Sequence, residues 1–208
     1  MKKTYKLSWL AVASIATYAI IAVASDLFAN KMLSIGGLAL AGGILLVPFS
    51  FTIRDMMHKL IGFENAKRVV WVTAIINLVI AALLIVLDMM PSAVPGQDAL
   101  WHSVMGTSWR IIIASFIAQV VADLMDTYSF EFFTRKLHGK KIWLRVAASN
   151  LISTPIDSIL FSVIAFLGVL PIDVMVNSII SSIIVKFVIS LFAIPLAYTH
   201  EKTLKEDE

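Results

Sequence analysis

Long apolar stretches alternate with short polar connections along the whole chain. Six stretches stand out, each close to the ~20 residues that a helix needs to cross about 30 Å of hydrocarbon. None shows the period of two that marks a membrane β-strand, and lipid forces the backbone to satisfy its own hydrogen bonds, so helices are predicted. The pattern therefore predicts an all-α membrane protein with six transmembrane helices in one bundle. The predicted spans are residues 7–28, 33–53, 69–87, 109–130, 146–170 and 174–198.

Composition supports a membrane environment. The chain is 59% hydrophobic and 15% charged, with a mean hydropathy of +0.89, whereas soluble domains average about 45–50% apolar and about 25% charged residues. A single core cannot bury that excess, so lipid must solvate the rest. The 208 residues fit one transporter domain, residues 1–208. The chain contains no cysteine, which excludes disulfides and thiolate metal sites.

Lys and Arg concentrate on alternate connections, which indicates orientation. The opposite side has only Lys31 and, at a helix boundary, Arg110, and the long connection 88–108 has neither residue type. Because basic residues stay cytoplasmic, both termini and the basic connections are predicted in the cytoplasm, with the chain in the cell membrane. A cleavable signal peptide in the first stretch is the alternative, but its removal would break the alternation. The basic side carries Lys2, Lys3, Lys6, Arg54, Lys59, Lys67, Arg68, Arg135, Lys136, Lys140, Lys141, Arg145, Lys202 and Lys205.

Charged and amide residues inside the spans are the candidates for function. A charge at a helix centre costs about 2.5–3.5 kcal/mol on insertion scales, so a chain keeps one there only with a partner or water. Asp157 lies near the middle of the fifth span, with Asn150, Ser153, Thr154 and Phe161 on the same helical face. This face predicts a polar stripe on an otherwise apolar helix.

The remaining candidates come from other spans. Lys186 lies near the middle of the sixth span. The fourth span carries Arg110 at its start and a polar face further along, and the second span ends beside an acid. The predicted substrate-binding set is Asp157, Lys186, Asn150, Gln119, Asp126, Asp123, Ser115, Arg110, Phe161 and Asp55. No catalytic residue, metal ligand or cofactor is predicted.

Asp157 and Lys186 allow two interpretations that are compatible. A buried ion pair could fix helix packing, although such pairs are costly and are seldom retained for stability alone. Alternatively, the two groups line a solute site between helices, and the substrate opens their ion pair. For Arg110, Asp126 and Asp55, near span ends, an interfacial charge remains an equal alternative to a site role.

Near the start of the second span, Gly42 and Gly43 precede Pro48. These residues predict either a local break in the helix or a close approach to a neighbour.

Four groups of residues, in order along the chain, resemble the VUT family (vitamin uptake transporter), whose members are described as queuosine precursor transporters. The likeness covers predicted spans two to six. Each group alone is weakly specific, whereas four in the right order and topology are specific. The groups are Pro48-Phe49-Ser50-Phe51 with Asp55, Gly62, Ala66, Lys67-Arg68 and Trp71; Arg110, Ala114-Ser115, Ala118, Asp126 and Phe130; Trp143-Leu144-Arg145, Ser149, Asp157, Phe161, Ala165-Phe166 and Gly168; and Lys186, Pro195 and Tyr198.

The resemblance implies uptake of a 7-deazaguanine such as preQ0, preQ1 or queuine for tRNA modification. Two positions depart from the family pattern: Lys59 replaces a common Glu, and Asp123 replaces a common Gln. A guanine-like edge presents adjacent N–H donors, and a carboxylate accepts two such bonds in parallel. Asp157 is the first candidate for that role, with Asn150 or Gln119 for the carbonyl edge.

Two other functions stay open at this point. One is the substrate-binding subunit of an energy-coupling-factor importer, which would need separate ATPase subunits because the chain has no P-loop. The other is a membrane enzyme acting on lipid, which lacks support because no acid, base and nucleophile cluster together. The expected partners are a small purine-like substrate and the bilayer, without nucleic acid, and a homo-oligomer is left open.

Overall fold

The computed structural model describes residues 8–136 and 142–206, which are mostly helical. The chain divides into two compact units. Unit 1 comprises Met1–Lys31 and Gly42–Ile112, and unit 2 comprises Met32–Ala41 and Ile113–Glu208. The elements, in order, are α1 Trp9–Phe28, β1 Met32–Ile35, β2 Leu38–Ala41, the 3₁₀ helix η1 Gly42–Leu46, α2 Val47–Ile61, α3 Phe63–Met89, α4 Gln97–Met105, α5 Ser108–Lys136, α6 Ile142–Phe166 and α7 Ile172–Glu206.

Five helical segments in the described residues are long and apolar enough to cross a membrane. They coincide with the first and the third to sixth predicted spans, so those five predictions are confirmed as apolar helices. Large apolar side chains on them point outward: Trp9 is 82% exposed and Leu83 is 61% exposed. Such surface needs lipid rather than water around it. The segments are Trp9–Phe28, Glu64–Met89, Gln97–Phe133, Ala147–Phe166 and Ile172–Ser190.

The second predicted span, residues 33–53, is not one helix, so that prediction was wrong. Strands β1 and β2 form an antiparallel hairpin, followed by η1 and α2. Gly36 and Gly37 form the two-residue turn with φ of 59° and 84°, the left-handed geometry that such turns require. Four glycines within eight residues would cost a continuous helix about 4 kcal/mol relative to alanine. The span was predicted from its apolar residues, and apolarity does not register the low helix propensity of glycine.

In unit 1, η1 and α2 run back along α1. A Cβ on Gly42 would clash with the carbonyl oxygen of Phe28, and one on Gly43 with that of Ser25. The break and the close approach predicted for this glycine pair are therefore both present.

Further along in unit 1, Met57 of α2 packs with Tyr18 of α1 and Ala66 of α3 in a buried cluster. Helix α2 thus continues in the direction that η1 begins, toward the start of α1.

In unit 2, α6 packs along α7 through small buried side chains, and β2 packs on α7. Asn177 of α7 joins the hairpin through both ends of its amide. Its Oδ1 accepts from the backbone N–H of Ala39 at 2.8 Å, and its Nδ2 donates to the carbonyl of Gly37 at 3.3 Å. Ser181 donates to the same Oδ1 at 3.0 Å, which orients the amide. An isolated two-stranded hairpin is marginally stable, so these contacts matter to its order.

We expect Asn177→Ala to loosen the hairpin without unfolding the protein. Loss of the two hydrogen bonds to Ala39 and Gly37, each worth about 1 kcal/mol, should raise amide hydrogen exchange within residues 32–41 by about fivefold or more. Hydrogen–deuterium exchange with mass spectrometry on purified protein measures this. Asn65→Ala is the matched control, since Asn65 donates to the carbonyl of Ile61 and accepts from Arg68, both within unit 1. Unchanged exchange in the hairpin of Asn177→Ala would contradict the assignment.

Candidate functional site

Asp157 and Lys186 meet within unit 2. The Lys186 Nζ donates to the Asp157 Oδ2 at 2.6 Å, and the Lys186 and Asp157 side chains are 22% and 25% exposed. Helix α6 carries the acid and α7 carries the base, so the packing of these two helices forms the pair. About a quarter of each side chain stays accessible, which leaves room for a polar ligand to approach. The sequence-based expectation that these two residues form an ion pair is confirmed in the geometry.

A second acid, Asp126 of α5, contacts the polar face of α6 one turn before Asp157. Ser153, which is buried, donates to the Oδ1 of Asp126 at 3.3 Å. This contact links α5 to α6, and Ser153 precedes Asp157 by one turn. Three helices of unit 2 therefore contribute polar groups to one region: Asp126 from α5, Asp157 from α6 and Lys186 from α7.

The backbone and one aromatic side chain add to this region. Pro155 lies inside α6, two residues before Asp157. It has no N–H, so the carbonyl of Leu151 loses its usual helical partner beside the acid. Phe161 lies one turn after Asp157, and its ring meets that of buried Phe166 edge to face at 5.6 Å. An aromatic wall near a carboxylate suits a flat heterocycle.

The other predicted residues divide between the units. Asn150, Gln119 and Ser115 belong to unit 2, as does Asp123. Arg110 belongs to the first turn of α5, in unit 1. The role of these five residues in substrate binding stays a prediction.

Asp55 also belongs to unit 1, as a residue of α2. Its side chain lies outside the part of the chain that the structure describes, so its role stays a prediction as well.

Sequence reasoning missed a polar contact in unit 1. Asp26, near the end of α1, is buried at 7% exposure and accepts from the Nδ2 of Asn77 at 3.0 Å. Close by in the chain, Asn30 accepts from the buried hydroxyl of Ser108 at 3.0 Å. The acid inside an apolar run was visible in the sequence, but its partner on α3 shares no sequence spacing with it.

These features define a class: a protein of several membrane-crossing helices, with paired charges held between helices where lipid would not solvate them, is built to pass a polar solute. A model of a known family matches residues 41–200, and its description is "Putative vitamin uptake transporter". Because the match covers most of the chain, the chain belongs to this family.

Relatives with curated names agree with the family. The chain is 27% identical over 189 residues, 89% of its length and 82% of the relative's, to a "Probable queuosine precursor transporter" of Bacillus subtilis. It is 28% identical over 147 residues, 71% and 64% of the two chains, to the "Queuosine precursor transporter" of Escherichia coli. It is 31% identical over 124 residues, 60% and 51%, to a "Probable queuosine precursor transporter" of Haemophilus influenzae. No solved structure matches.

We expect the ion pair to show coupled effects on stability. Lys186→Gln leaves the carboxylate without its cation, and this should lower the free energy of unfolding by about 1–3 kcal/mol. The double variant Asp157→Asn/Lys186→Gln removes both charges and should recover part of the loss. Thermal unfolding of purified Lys186→Gln, Asp157→Asn and the double variant measures the coupling. Losses that simply add would show that the two groups do not interact.

Proposed function

We propose that this chain carries a queuosine precursor of the 7-deazaguanine type across the cell membrane, with Asp157 and Lys186 as the groups that bind it. The observation that carries the proposal is the ion pair between α6 and α7, which is only about three-quarters buried. The family and the named relatives supply the substrate class. They also favour a transporter over a lipid enzyme.

The chemistry of the pair fits a guanine-like ring. The pyrimidine half of such a ring presents two adjacent N–H donors beside a carbonyl oxygen. Asp157 accepts the two N–H groups in parallel, a charge-assisted arrangement about twice as strong as a neutral one. Lys186 then turns from the carboxylate to the carbonyl oxygen. The substrate thus replaces one partner of each charge, so neither is left unpaired during binding.

The ion pair also stabilises the site when no substrate is bound. Opening the pair costs little when the substrate supplies a new partner to each charge at the same time, because neither charge is then left unpaired. A buried charge without any partner would cost far more. Asp157 and Lys186 therefore hold one another when no substrate is present, and the exchange of partners makes binding reversible.

We expect Asp157→Asn to abolish precursor uptake at normal expression, because an amide offers one acceptor oxygen and no charge. The measurement uses a host that lacks queuosine synthesis and its own importer. Each precursor is fed separately, and queuosine in tRNA is assayed. Asp98→Asn is the matched control, since Asp98 caps the turn before α4 by accepting from the N–H of Ser92. Normal modification in Asp157→Asn would contradict the assignment of this acid.

The importer-subunit alternative makes a different prediction. A substrate-binding subunit of an energy-coupling-factor importer needs ATPase partners to move its substrate, whereas a transporter works alone. Uptake by the purified chain in liposomes without ATP supports the proposal. The relatives' names do not favour the alternative.

The proposed topology has six crossings with both termini in the cytoplasm. Five are the long apolar helical segments, and the remaining one, second in chain order, is formed by η1 with α2. Together Gly42–Leu46 and Val47–Ile61 measure about 32 Å, enough to cross about 30 Å of hydrocarbon. The hairpin before them exposes unpaired strand edges, which lipid does not tolerate, so the hairpin stays outside the hydrocarbon. The crossing therefore begins at Gly42, further along the chain than the apolar pattern indicates.

Charge supports this crossing. Lys31 follows α1, and Lys67 and Arg68 lie in the first turns of α3. Without a crossing between them, Lys67, Arg68 and Lys31 would share one side, and the alternation of basic connections would fail further along the chain.

We expect cysteines at positions 31 and 67 to react from opposite sides of the membrane. The chain has no native cysteine, so Lys31→Cys and Lys67→Cys each carry a single thiol. An impermeant maleimide added to whole cells should label Lys31→Cys and spare Lys67→Cys, while opened cells should show both. Labelling of both variants in whole cells would exclude a crossing at Gly42–Ile61.

A further inference from the structure

Buried serines occupy α6 and α7 between the ion pair and the connection 167–171 that joins the two helices. Each is at most 9% exposed. On α7, Ser178 and Ser182 precede Lys186 by two turns and one turn, so the three residues share one helical face. From Lys186 this face extends about 12 Å toward the start of the helix. These buried serines form a serine row, which comprises Ser158, Ser162, Ser178, Ser181 and Ser182.

Two hydroxyls of the serine row have no hydrogen-bond partner among the described residues. They are the Oγ atoms of Ser158 and Ser178, in side chains that are each 1% exposed. Ser158 directly follows Asp157, and Ser178 directly follows Asn177, which holds the hairpin. Alanine would allow the helices to approach as closely without burying a polar atom. A buried hydroxyl without a partner therefore indicates a second state of the protein in which it has one.

The hairpin of β1 and β2 is attached beside the outer end of this row. Asn177 bonds to Ala39 and Gly37, and Ser181 of the serine row donates to the same amide. The two bonds from Asn177 to the hairpin are exposed, so water competes for each of them and their net contribution is small. The attachment is therefore easily broken and remade.

The ends of the hairpin suit a segment that detaches as one piece. By its contacts the hairpin belongs to unit 2, whereas Lys31 before it and Gly42 after it belong to unit 1. The N–H of Gly42 donates to the carbonyl of Lys31 at 2.8 Å, which closes the base of the hairpin. Release from α7 therefore leaves the pairing of the two strands intact.

The depth of these residues agrees with the proposed topology. The connection 167–171 lies on the outer side, as does the hairpin that follows Lys31. Asp173, in the first turn of α7, is exposed. Ser178 lies about 9 Å and Lys186 about 21 Å along α7 from its first residue, Ile172. The serine row therefore leads from the outer boundary of the membrane toward its middle.

We propose that the serine row is the outer path by which the precursor reaches Asp157 and Lys186, and that the hairpin is its cover. The inference rests on the proposed transport function and adds the route and its gate. When Asn177 releases the hairpin, water and the precursor reach the enclosed hydroxyls. A hydroxyl both donates and accepts, so it bonds the N–H and the carbonyl groups of the ring alike. When the hairpin rebinds, the ion pair is closed to the outer side.

A reversible cross-link tests the cover. The chain has no cysteine, so Ala39→Cys/Asn177→Cys carries two thiols that a short bifunctional methanethiosulfonate can join. In whole cells, the link should lower uptake of labelled precursor by about tenfold or more, because the open state is then unpopulated. A reducing agent should restore uptake. The mass of the purified chain shows whether the link has formed.

The matched control places the same link elsewhere on the outer side. The side chains of Asp88 and His102 contact one another at 2.8 Å in unit 1. Linked Asp88→Cys/His102→Cys should take up precursor like the unlinked variant. The single variants Ala39→Cys and Asn177→Cys, treated with the same reagent, should also keep their uptake.

Thiol accessibility tests the path independently. An impermeant methanethiosulfonate added to whole cells should modify Ser178→Cys about fivefold faster when Asn177→Ala loosens the hairpin. Saturating precursor should slow the modification, because it occupies the path. Ser108→Cys is the matched control, since Ser108 is a buried serine of unit 1 that donates to Asn30 at 3.0 Å. Its modification should respond to neither change.

The outcomes separate the two proposals. Full uptake with the Ala39→Cys/Asn177→Cys link formed would overturn the cover. Modification of Ser178→Cys that ignores both Asn177→Ala and the precursor would overturn the path, and it decides alone where the double variant is inactive before linking. Absence of precursor uptake by the wild type would overturn the proposed function itself.

Discussion

Hydrocarbon cannot hydrogen-bond a polar group, and this constraint governs every informative feature of the chain. Charges and amides inside apolar helices are costly unless they bond to partners on neighbouring helices or face water. Three hydrogen bonds of this kind are present among the described residues: Lys186 donates to Asp157, Ser153 to Asp126, and Asn77 to Asp26. Each contact joins two different helices. The polar groups thus fix which helix faces meet, and the same groups remain as the chemistry available to a solute.

Much of the fold could be predicted because its cause is local. Length and apolarity of a stretch decide whether it crosses the membrane, and both quantities are properties of consecutive residues. Five helices follow from them directly. The ion pair of Asp157 and Lys186 could also be predicted, since two opposite charges at mid-span in consecutive helices each need a partner and can serve one another. The contact between Asp26 and Asn77 could not, because it joins positions 51 residues apart with no motif to link them.

The second apolar stretch shows where hydropathy misleads. Its mean apolarity resembles that of a span, yet it contains two glycine pairs with different roles. Gly36 and Gly37 turn the chain with positive φ, and Gly42 and Gly43 let η1 approach the backbone of α1. Hydropathy counts glycine as neutral and ignores both effects. Conformational freedom, and not apolarity, decides the structure between α1 and α2.

The two acids inside apolar helices lie in different environments. Asp157 faces the ammonium group of Lys186, and its side chain is 25% exposed, so a polar solute can reach it. Asp26 is 7% exposed and accepts from the amide of Asn77, a contact that joins α1 to α3. A solute can exchange with the partner of an accessible group, whereas a group enclosed by packing keeps its partner. Exposure therefore separates the candidate substrate-binding acid on α6 from the acid on α1.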